Sequence, residues 1–270
     1  MKNLFTLLLS VLLVTGIYAQ KLPRIKILAT GGTIAGQGAS ADRSAYTAGQ
    51  LPIKDLIAAV PGIDKVAEIS GEQISNVGSQ DMTVDIWIKL NKRINEIYKN
   101  NEADGIVITH GTDTQEETAY FLSLTVRSDK PVIITGSMRP ATAISADGPK
   151  NLYDAVTLAA SKQAAHSGVL LVFNEYIFTG RNAVKTSTTH LNAFTAPNSG
   201  PIGQVYDGKV SLYESPIRKT NKNTPFDITG LTTLPEVAVV ELYADASATA
   251  INAYVASGVK GIVTGGLGNG

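Results

Sequence analysis

Hydroxyl-bearing residues follow two hydrophobic segments of the chain, at points where strands are predicted to end. Residues 30–36 follow the segment Ile25–Ala29, and residues 110–114 follow Gly105–Thr109. The first group is rich in glycine, which lets a backbone approach a ligand closely. The second precedes a predicted helix, whose N-terminus favours negative charge. Ligands of doubly wound sheets bind beyond the carboxyl ends of the strands. The two groups therefore predict a polar site at one edge of a sheet.

Further polar residues follow other predicted strands. Ser79 and Gln80 come after the hydrophobic stretch Val66–Ile69 and offer compact hydrogen-bonding groups, while Asp81 is predicted to cap the helix that begins at Val84. A simple cap and turn explains these residues equally well. Residues 135–140 and 145–148 follow the fourth strand and are compatible either with the floor of a pocket or with a long loop.

A lysine and a small, polar segment have a catalytic role only if they lie next to the polar site. Lys185 lies in an otherwise neutral stretch and is solvated in the simplest interpretation. A lysine buried beside a hydroxyl can instead take that hydroxyl's proton, because burial disfavours its charged form. The segment from Ala35 to Gly49 is small and polar and contains Tyr46, which suits either a lid over a substrate or an ordinary surface turn.

Composition excludes several kinds of site. The chain has no cysteine, no G-x-S-x-G motif, no G-x-G-x-x-G fingerprint and no Walker lysine. Its three histidines, His110, His166 and His190, lack metal-ligand spacing, so we expect neither a metal nor a cofactor. Lysine plus arginine and aspartate plus glutamate each number 23, and this balance argues against a nucleic-acid partner.

Short apolar segments alternate with helical patterns from Ile25 onward. The predicted strands are Ile25–Ala29, Gly105–Thr109, Val132–Thr135 and Val169–Phe173, and the predicted helices are Val84–Lys99, Glu116–Val126 and Asn151–Gln163. This alternation predicts an α/β fold, with a doubly wound, mostly parallel sheet and right-handed crossovers.

The chain is predicted to contain two structural units after an N-terminal leader. Residues 22–213 form the large unit, which ends in a hairpin around the Asp207–Gly208 turn. Residues 214–232 are polar and contain proline, as in a linker. Residues 233–270 begin a smaller α/β unit, and its last strand, Gly261–Thr264, lacks a covering helix, so we expect this unit to be incomplete.

The N-terminus is typical of a secretory signal peptide. Lys2 is followed by the apolar run from Leu4 to Val14 and by small residues up to Ala19, which predicts removal of residues 1–19 and export to the periplasm. A membrane anchor is the alternative, although the run is short for a bilayer span. No membrane association is expected after cleavage.

The motifs together resemble those of the bacterial L-asparaginases. Residues 27–36 and 105–114 are similar to the two long signatures of that family, and the shorter segments 78–82, 146–149, 184–186 and 268–270 follow in the expected order. The resemblance covers residues 22–270 and, with the leader, indicates the periplasmic type II branch. It implies hydrolysis of L-asparagine to L-aspartate and ammonia, without a cofactor.

This resemblance implies a role for each site residue. Thr33 would be the nucleophile, with Tyr46 beside it, and Thr112, Asp113 and Lys185 would form a second catalytic group. A covalent acyl-threonine route is favoured over direct attack by water, because it divides one hard step into two easier ones.

Substrate binding is implied for a partly overlapping set of residues. Asp113 would bind the substrate's ammonium, beside Thr112, and Ser79 and Gln80 would hold its α-carboxylate and amine. Family members are homotetramers with sites between subunits, and Asn269 would reach the neighbouring subunit's site. A glutamate that the family supplies from further downstream lies beyond residue 270.

Three alternatives stay open at this point. A glutaminase-asparaginase of broad specificity differs only in accepting L-glutamine, and one methylene is worth only about 1–3 kcal/mol of discrimination. A non-catalytic periplasmic amino-acid-binding protein would share export and a polar cleft, but it does not need two hydroxyls and a lysine at one point. An ammonia-supplying subunit of a tRNA amidotransferase is disfavoured by the export signal.

Overall fold

The computed structural model describes residues 21–42, 45–214 and 224–268. The predicted signal peptide 1–19, residues 215–223 of the predicted linker and Asn269 lie outside these residues. Within the described ranges, no helix combines the length and hydropathy of a membrane-spanning segment.

An eight-stranded, mostly parallel sheet forms the centre of the protein, as predicted. The strands in chain order are β1 Arg24–Gly31, β2 Gln37–Gly38, β3 Tyr46–Thr47, β4 Glu68–Val77, β5 Gly105–Thr109, β6 Val132–Thr135, β7 Val169–Phe173, β8 Tyr176–Thr179, β9 Val184–Lys185, β10 Phe194–Thr195, β11 Gly203–Tyr206, β12 Lys209–Leu212, β13 Val237–Glu241 and β14 Gly261–Gly265. The central sheet has the order β12-β11-β8-β7-β6-β5-β1-β4. Strands β4, β1, β5, β6 and β7 run parallel, and β8, β11 and β12 extend the sheet with antiparallel pairs.

Helices cover both faces of this sheet. They are α1 Ile53–Ala58, α2 Val84–Lys99, α3 Gln115–Thr125, α4 Gly148–Ala160 and, after the sheet, α5 Thr249–Ser257. Side chains of α1 and α4 pack on one face, and those of α2 and α3 pack on the other. The parallel strands alternate between the two layers, so that Ile27 of β1 faces α4 and Leu28 faces α2. Burial on both sides explains why these strands are continuously apolar in sequence.

One crossover has the opposite hand to the other three. The connection β1–α1–β4 runs toward the β4 edge over one face of the sheet, and β4–α2–β5 and β5–α3–β6 run in the opposite direction over the other face. Reversing both the direction and the face preserves the hand, so these three connections share one hand. The connection β6–α4–β7 continues in the direction of β5–α3–β6 but runs over the other face. Since about 98% of such units are right-handed, we assign β6–α4–β7 a left-handed crossover. The prediction of right-handed crossovers throughout is wrong at this unit.

Strand β4 is longer than the stretch Val66–Ile69 that the apolar pattern predicted. It occupies the sheet edge, where one side of the strand meets solvent, and only Ile74 of its residues is buried. Its polar second half therefore gives no hydrophobic signal. The helix cap was also predicted two residues too early. Thr83, not Asp81, caps α2, with its Oγ1 accepting a hydrogen bond from the Ile86 N–H at 3.4 Å.

The later elements follow the predicted pattern. Strands β11 and β12 form the expected hairpin, with Asp207 and Gly208 at positive φ in the turn. Strands β13 and β14 pair in parallel and are joined by α5. The limits of the two structural units stay a prediction.

The carboxyl ends of β1 and β5 meet at the point where the strand order reverses. The order β4-β1-β5-β6-β7 is that of a doubly wound sheet, with its switch point between β1 and β5. Gly32 follows β1 with φ at +79°, and a Cβ there would lie 2.3 Å from the Gly111 nitrogen that follows β5. A Cβ on Gly111 would lie 2.8 Å from Ser79 Oγ. Gly32 and Gly111 therefore touch through their main chains, and the Ser79 side chain of a third loop lies against Gly111.

We expect Gly32→Ala to disrupt this junction. The added methyl meets main-chain atoms that cannot rotate away, so urea unfolding followed by circular dichroism should show a loss of stability. Gly62→Ala is the matched control, because Gly62 has φ at +74° and open space around its Cβ. The Gly32 variant should lose about 1–3 kcal/mol more than the control. Equal losses would show that the contact does not constrain the fold.

Candidate active site

A cleft of about 810 Å³ opens beside the switch point. Its walls include Thr33, Tyr46, Thr112, Asp113 and Lys185. These residues come from three separate segments: Thr33 and Tyr46 from the segment after β1, Thr112 and Asp113 from the turn after β5, and Lys185 from β9. The cleft therefore brings together all five side chains for which a catalytic role was predicted.

Thr33 lies in a single 3-10 turn, Thr33–Ala35, directly after β1. Its Oγ1 is 2.6 Å from the Tyr46 hydroxyl, and either oxygen can donate the hydrogen bond. Tyr46 belongs to β3, which pairs with β2 as a small hairpin. Gly36 lies against the tyrosine ring, because a Cβ there would be 2.6 Å from it. The part of the predicted lid that the structure describes is thus a hairpin that presents Tyr46 to Thr33.

Thr112 and Asp113 lie in a 3-10 turn that leads into α3. The Lys185 ammonium donates to Thr112 Oγ1 at 2.8 Å and to Asp113 Oδ1 at 2.6 Å. The lysine side chain is only 11% exposed, whereas that of Asp113 is 61% exposed. Of the two interpretations of Lys185, the structure therefore supports burial beside a hydroxyl rather than solvation.

The segment that carries Lys185 is anchored on the sheet. Strand β9 pairs with β10, and Phe194 of β10 packs against Phe173 of β7 with ring centroids 5.0 Å apart. Glu116, in the first turn of α3, accepts a hydrogen bond from the Lys185 main-chain N–H. Glu116 was not among the predicted site residues. Its only signal is that it lies one helical turn after Thr112.

Ser79 and Gln80 occupy different surroundings. Ser79 is buried, and its Oγ accepts from the Asp113 N–H at 3.0 Å, while its carbonyl accepts from Thr114 Oγ1 at 2.8 Å. Gln80 is exposed and donates to Asp81 Oδ2 at 3.0 Å. Ser79 thus joins the site through Asp113. Asn269, the remaining predicted binding residue, lies outside the described part of the chain.

His110 supports the main chain just before Thr112. It is fully buried, with Nδ1 2.7 Å from the Gly111 carbonyl and Nε2 2.8 Å from Thr118 Oγ1. Burial lowers the pKa of His110 to about 4, so the ring is neutral at neutral pH. The carbonyl contact then places the ring proton on Nδ1. Trp87, the single tryptophan of the chain, donates its indole N–H to Thr118 Oγ1 at 2.7 Å.

The segment after β6 forms one wall of the cleft. The Asp147 carboxylate accepts hydrogen bonds from the Met138 and Arg139 N–H groups, both at 2.9 Å. Both residues line the cleft. Of the two interpretations left open for this segment, the structure supports the pocket. Thr188 and Thr189 also line the cleft, and no sequence signal indicated them.

The arrangement is suited to attack by a hydroxyl on a small polar substrate. Two threonine hydroxyls face one cleft, and each hydrogen-bonds to a group able to exchange a proton with it. In the described ranges, no group of three or more histidine, cysteine or acidic side chains is arranged to hold a metal ion.

Comparison with known proteins gives one consistent result. The family model described as "Asparaginase, N-terminal" matches residues 24–218. "L-asparaginase 2" of Escherichia coli (strain K12) is 50% identical over 252 residues, covering 93% of this chain and 72% of that protein. "Probable L-asparaginase periplasmic" of Haemophilus influenzae is 51% identical with the same coverage. "Glutaminase-asparaginase" of Pseudomonas aeruginosa is 44% identical, covering 93% of this chain and 69% of that protein.

A solved structure agrees with these relatives. The crystal structure titled "Probable Cytoplasmic L-asparaginase" from Campylobacter jejuni superposes with a TM-score of 0.87 at 48% identity, covering 90% of this chain and 74% of that chain. The fold, the signatures and the matched family model all agree, and the chain belongs to the asparaginase family.

Proposed function

We propose that this protein hydrolyses L-asparagine to L-aspartate and ammonia, with Thr33 as nucleophile. The observation that carries the proposal is that Thr33 and Thr112 line one cleft, and each hydroxyl is hydrogen-bonded to a group that can exchange a proton with it. Relatives at about 50% identity are named as L-asparaginases, which supports the choice of substrate.

The first step forms an acyl-enzyme. Thr33 Oγ1 attacks the side-chain amide carbon, a C–O bond forms, and the carbonyl π pair moves onto oxygen. Tyr46, 2.6 Å from Thr33, accepts the threonine proton and passes its own toward the substrate nitrogen. The C–N bond then breaks and ammonia leaves. Main-chain N–H groups near Thr112 are the candidates to stabilise the oxyanion.

The second step hydrolyses the acyl-threonine. A water molecule attacks the ester carbon, and the group of Thr112, Lys185 and Asp113 takes up the proton that the water loses. The C–O bond to Thr33 breaks, the same group returns that proton to the Thr33 oxygen, and aspartate leaves with the threonine hydroxyl restored. The contacts of the Lys185 ammonium at 2.8 and 2.6 Å support a shared role for this group.

Substrate recognition is assigned to polar groups around Asp113. Its exposed carboxylate suits the substrate's α-ammonium. Ser79 Oγ already accepts from the Asp113 N–H, so its own O–H remains available to donate to the α-carboxylate. Gln80 offers an exposed carboxamide for the same end of the substrate. Asn269 is proposed to serve the site of a neighbouring subunit.

Broad specificity is the second candidate function. Glutaminase-asparaginases are among the relatives, at 44% identity in Pseudomonas aeruginosa. Discrimination of a single methylene is worth about 1–3 kcal/mol, so modest differences in the cleft decide it. The ratio of kcat/KM on L-asparagine and L-glutamine separates the two functions.

Export and assembly belong to the same proposal. We propose that residues 1–19 direct the protein to the periplasm and that four copies assemble, with residues 22–213 and 233–270 in separate units joined by 214–232. The Haemophilus influenzae relative is named as periplasmic, which supports export, although the Campylobacter jejuni structure is named as cytoplasmic.

We predict that Thr33→Ala abolishes turnover while the fold stays intact. Loss of a nucleophile typically costs about three orders of magnitude or more in kcat. Ammonia release from L-asparagine measures the activity, and circular dichroism checks the fold. Thr33→Ser is the control, because it keeps a hydroxyl and should keep part of the activity. Near-normal turnover by Thr33→Ala would refute its role, and no turnover by the full-length parent protein would favour an amino-acid-binding protein.

Lys185→Met is expected to lower kcat by about two to four orders of magnitude, because the proton-transfer group loses its ammonium while keeping a side chain of similar length. Steady-state kinetics on L-asparagine would test this. A change confined to KM would mean that Lys185 only binds substrate.

A further inference from the structure

Lys185 is held at both ends by one short stretch of chain. Its ammonium donates to Thr112 Oγ1 and Asp113 Oδ1, at 2.8 and 2.6 Å. Its main-chain N–H donates to the carboxylate of Glu116. Glu116 lies four residues after Thr112, so the two side chains are about one helical turn apart. The 3-10 turn before α3 therefore binds the lysine ammonium, and the first turn of α3 binds its main chain.

The strand that carries Lys185 has little support of its own. Strand β9 has two residues and pairs only with the two residues of β10 in the described structure. Such an isolated ladder is marginal in water. The Lys185 N–H is directed to α3 rather than to β10, so Glu116 supplies the hydrogen bond on the other edge of β9. A hydrogen bond to a carboxylate is roughly twice as strong as one between neutral groups.

We propose that Glu116 is a positioning residue, whose carboxylate fixes the Lys185 main chain so that the ammonium reaches Thr112 and Asp113. This inference rests on the proposed function, in which Lys185 takes part in proton transfer. Glu116 contacts the lysine at its base and acts through it.

A simpler role for Glu116 would be to favour the helix N-terminus, as any acidic residue in the first turn does. Glu117 occupies the same first turn and is exposed. Both residues give the helix a similar electrostatic benefit, so Glu117→Ala is a matched control for Glu116→Ala. Glu116→Gln keeps an oxygen that can accept the Lys185 N–H and removes only the charge.

Kinetics on L-asparagine separate these roles. Glu116→Ala should lower kcat by about tenfold and leave KM nearly unchanged. This factor corresponds to the free energy of roughly one hydrogen bond that positions the lysine. Glu116→Gln should recover most of kcat, and Glu117→Ala should match the parent protein. Equal effects of the two alanine variants, or a loss in KM alone, would overturn the inference.

A double-mutant cycle with Lys185→Met tests whether Glu116 acts through the lysine. In that background, Glu116→Ala should change kcat no further, because no ammonium remains to be positioned. A general structural role would instead reduce activity in both backgrounds, and an additive loss would overturn the inference.

A spectroscopic readout makes the test independent of turnover. In protein labelled with 15N-lysine, the Lys185 amide signal is assigned by its absence from Lys185→Arg. Glu116→Ala should move this amide proton upfield, while Glu117→Ala should leave it in place. An unmoved signal in Glu116→Ala overturns the positioning role. If the parent protein releases no ammonia, the proposed function fails, and the amide signal still decides whether Glu116 holds the lysine.

Discussion

The close approach of the loops after β1 and β5 is the constraint on which the rest of the site depends. Gly32 and Gly111 touch through their main chains, and Ser79 lies against Gly111. A side chain on either glycine would separate the loops. Because neither residue carries one, Thr33 after one strand and Thr112 after the other can face the same cleft. Backbone packing thus brings the Thr33 and Thr112 side chains to one cleft.

The two hydroxyl groups differ in how the chain supports them. Thr33 meets Tyr46, 13 residues away, through a local hairpin. Thr112 meets Lys185, 73 residues away, through packing of a short ladder on the sheet. A nearly buried ammonium is costly unless it is paired and hydrogen-bonded. Asp113 and Thr112 provide those partners, and this makes the second group the more demanding one to assemble.

The buried parallel strands and the glycine-rich loops could be predicted, because burial on two faces leaves continuous apolar segments and a strand end marks where ligands bind. The prediction Val66–Ile69 overlaps the edge strand β4 only at its first two residues, since solvent on one side permits polar residues in the rest. Burial of Lys185 and its contact with Glu116 depend on tertiary packing between distant segments, which no local pattern records. The hand of β6–α4–β7 was predicted wrongly, because the general preference for right-handed crossovers does not indicate which unit departs from it.

That exceptional crossover has a consequence for where Lys185 lies. Since α4 returns over the α1 side, the opposite side of β7 is free of a connecting helix, and Ala183, Ala193 and Phe194 pack there in its place. These residues flank or belong to the ladder that carries Lys185. A right-handed return would have put a helix where the lysine segment now docks. An uncommon crossover therefore leaves the space in which the segment that carries Lys185 packs against the sheet.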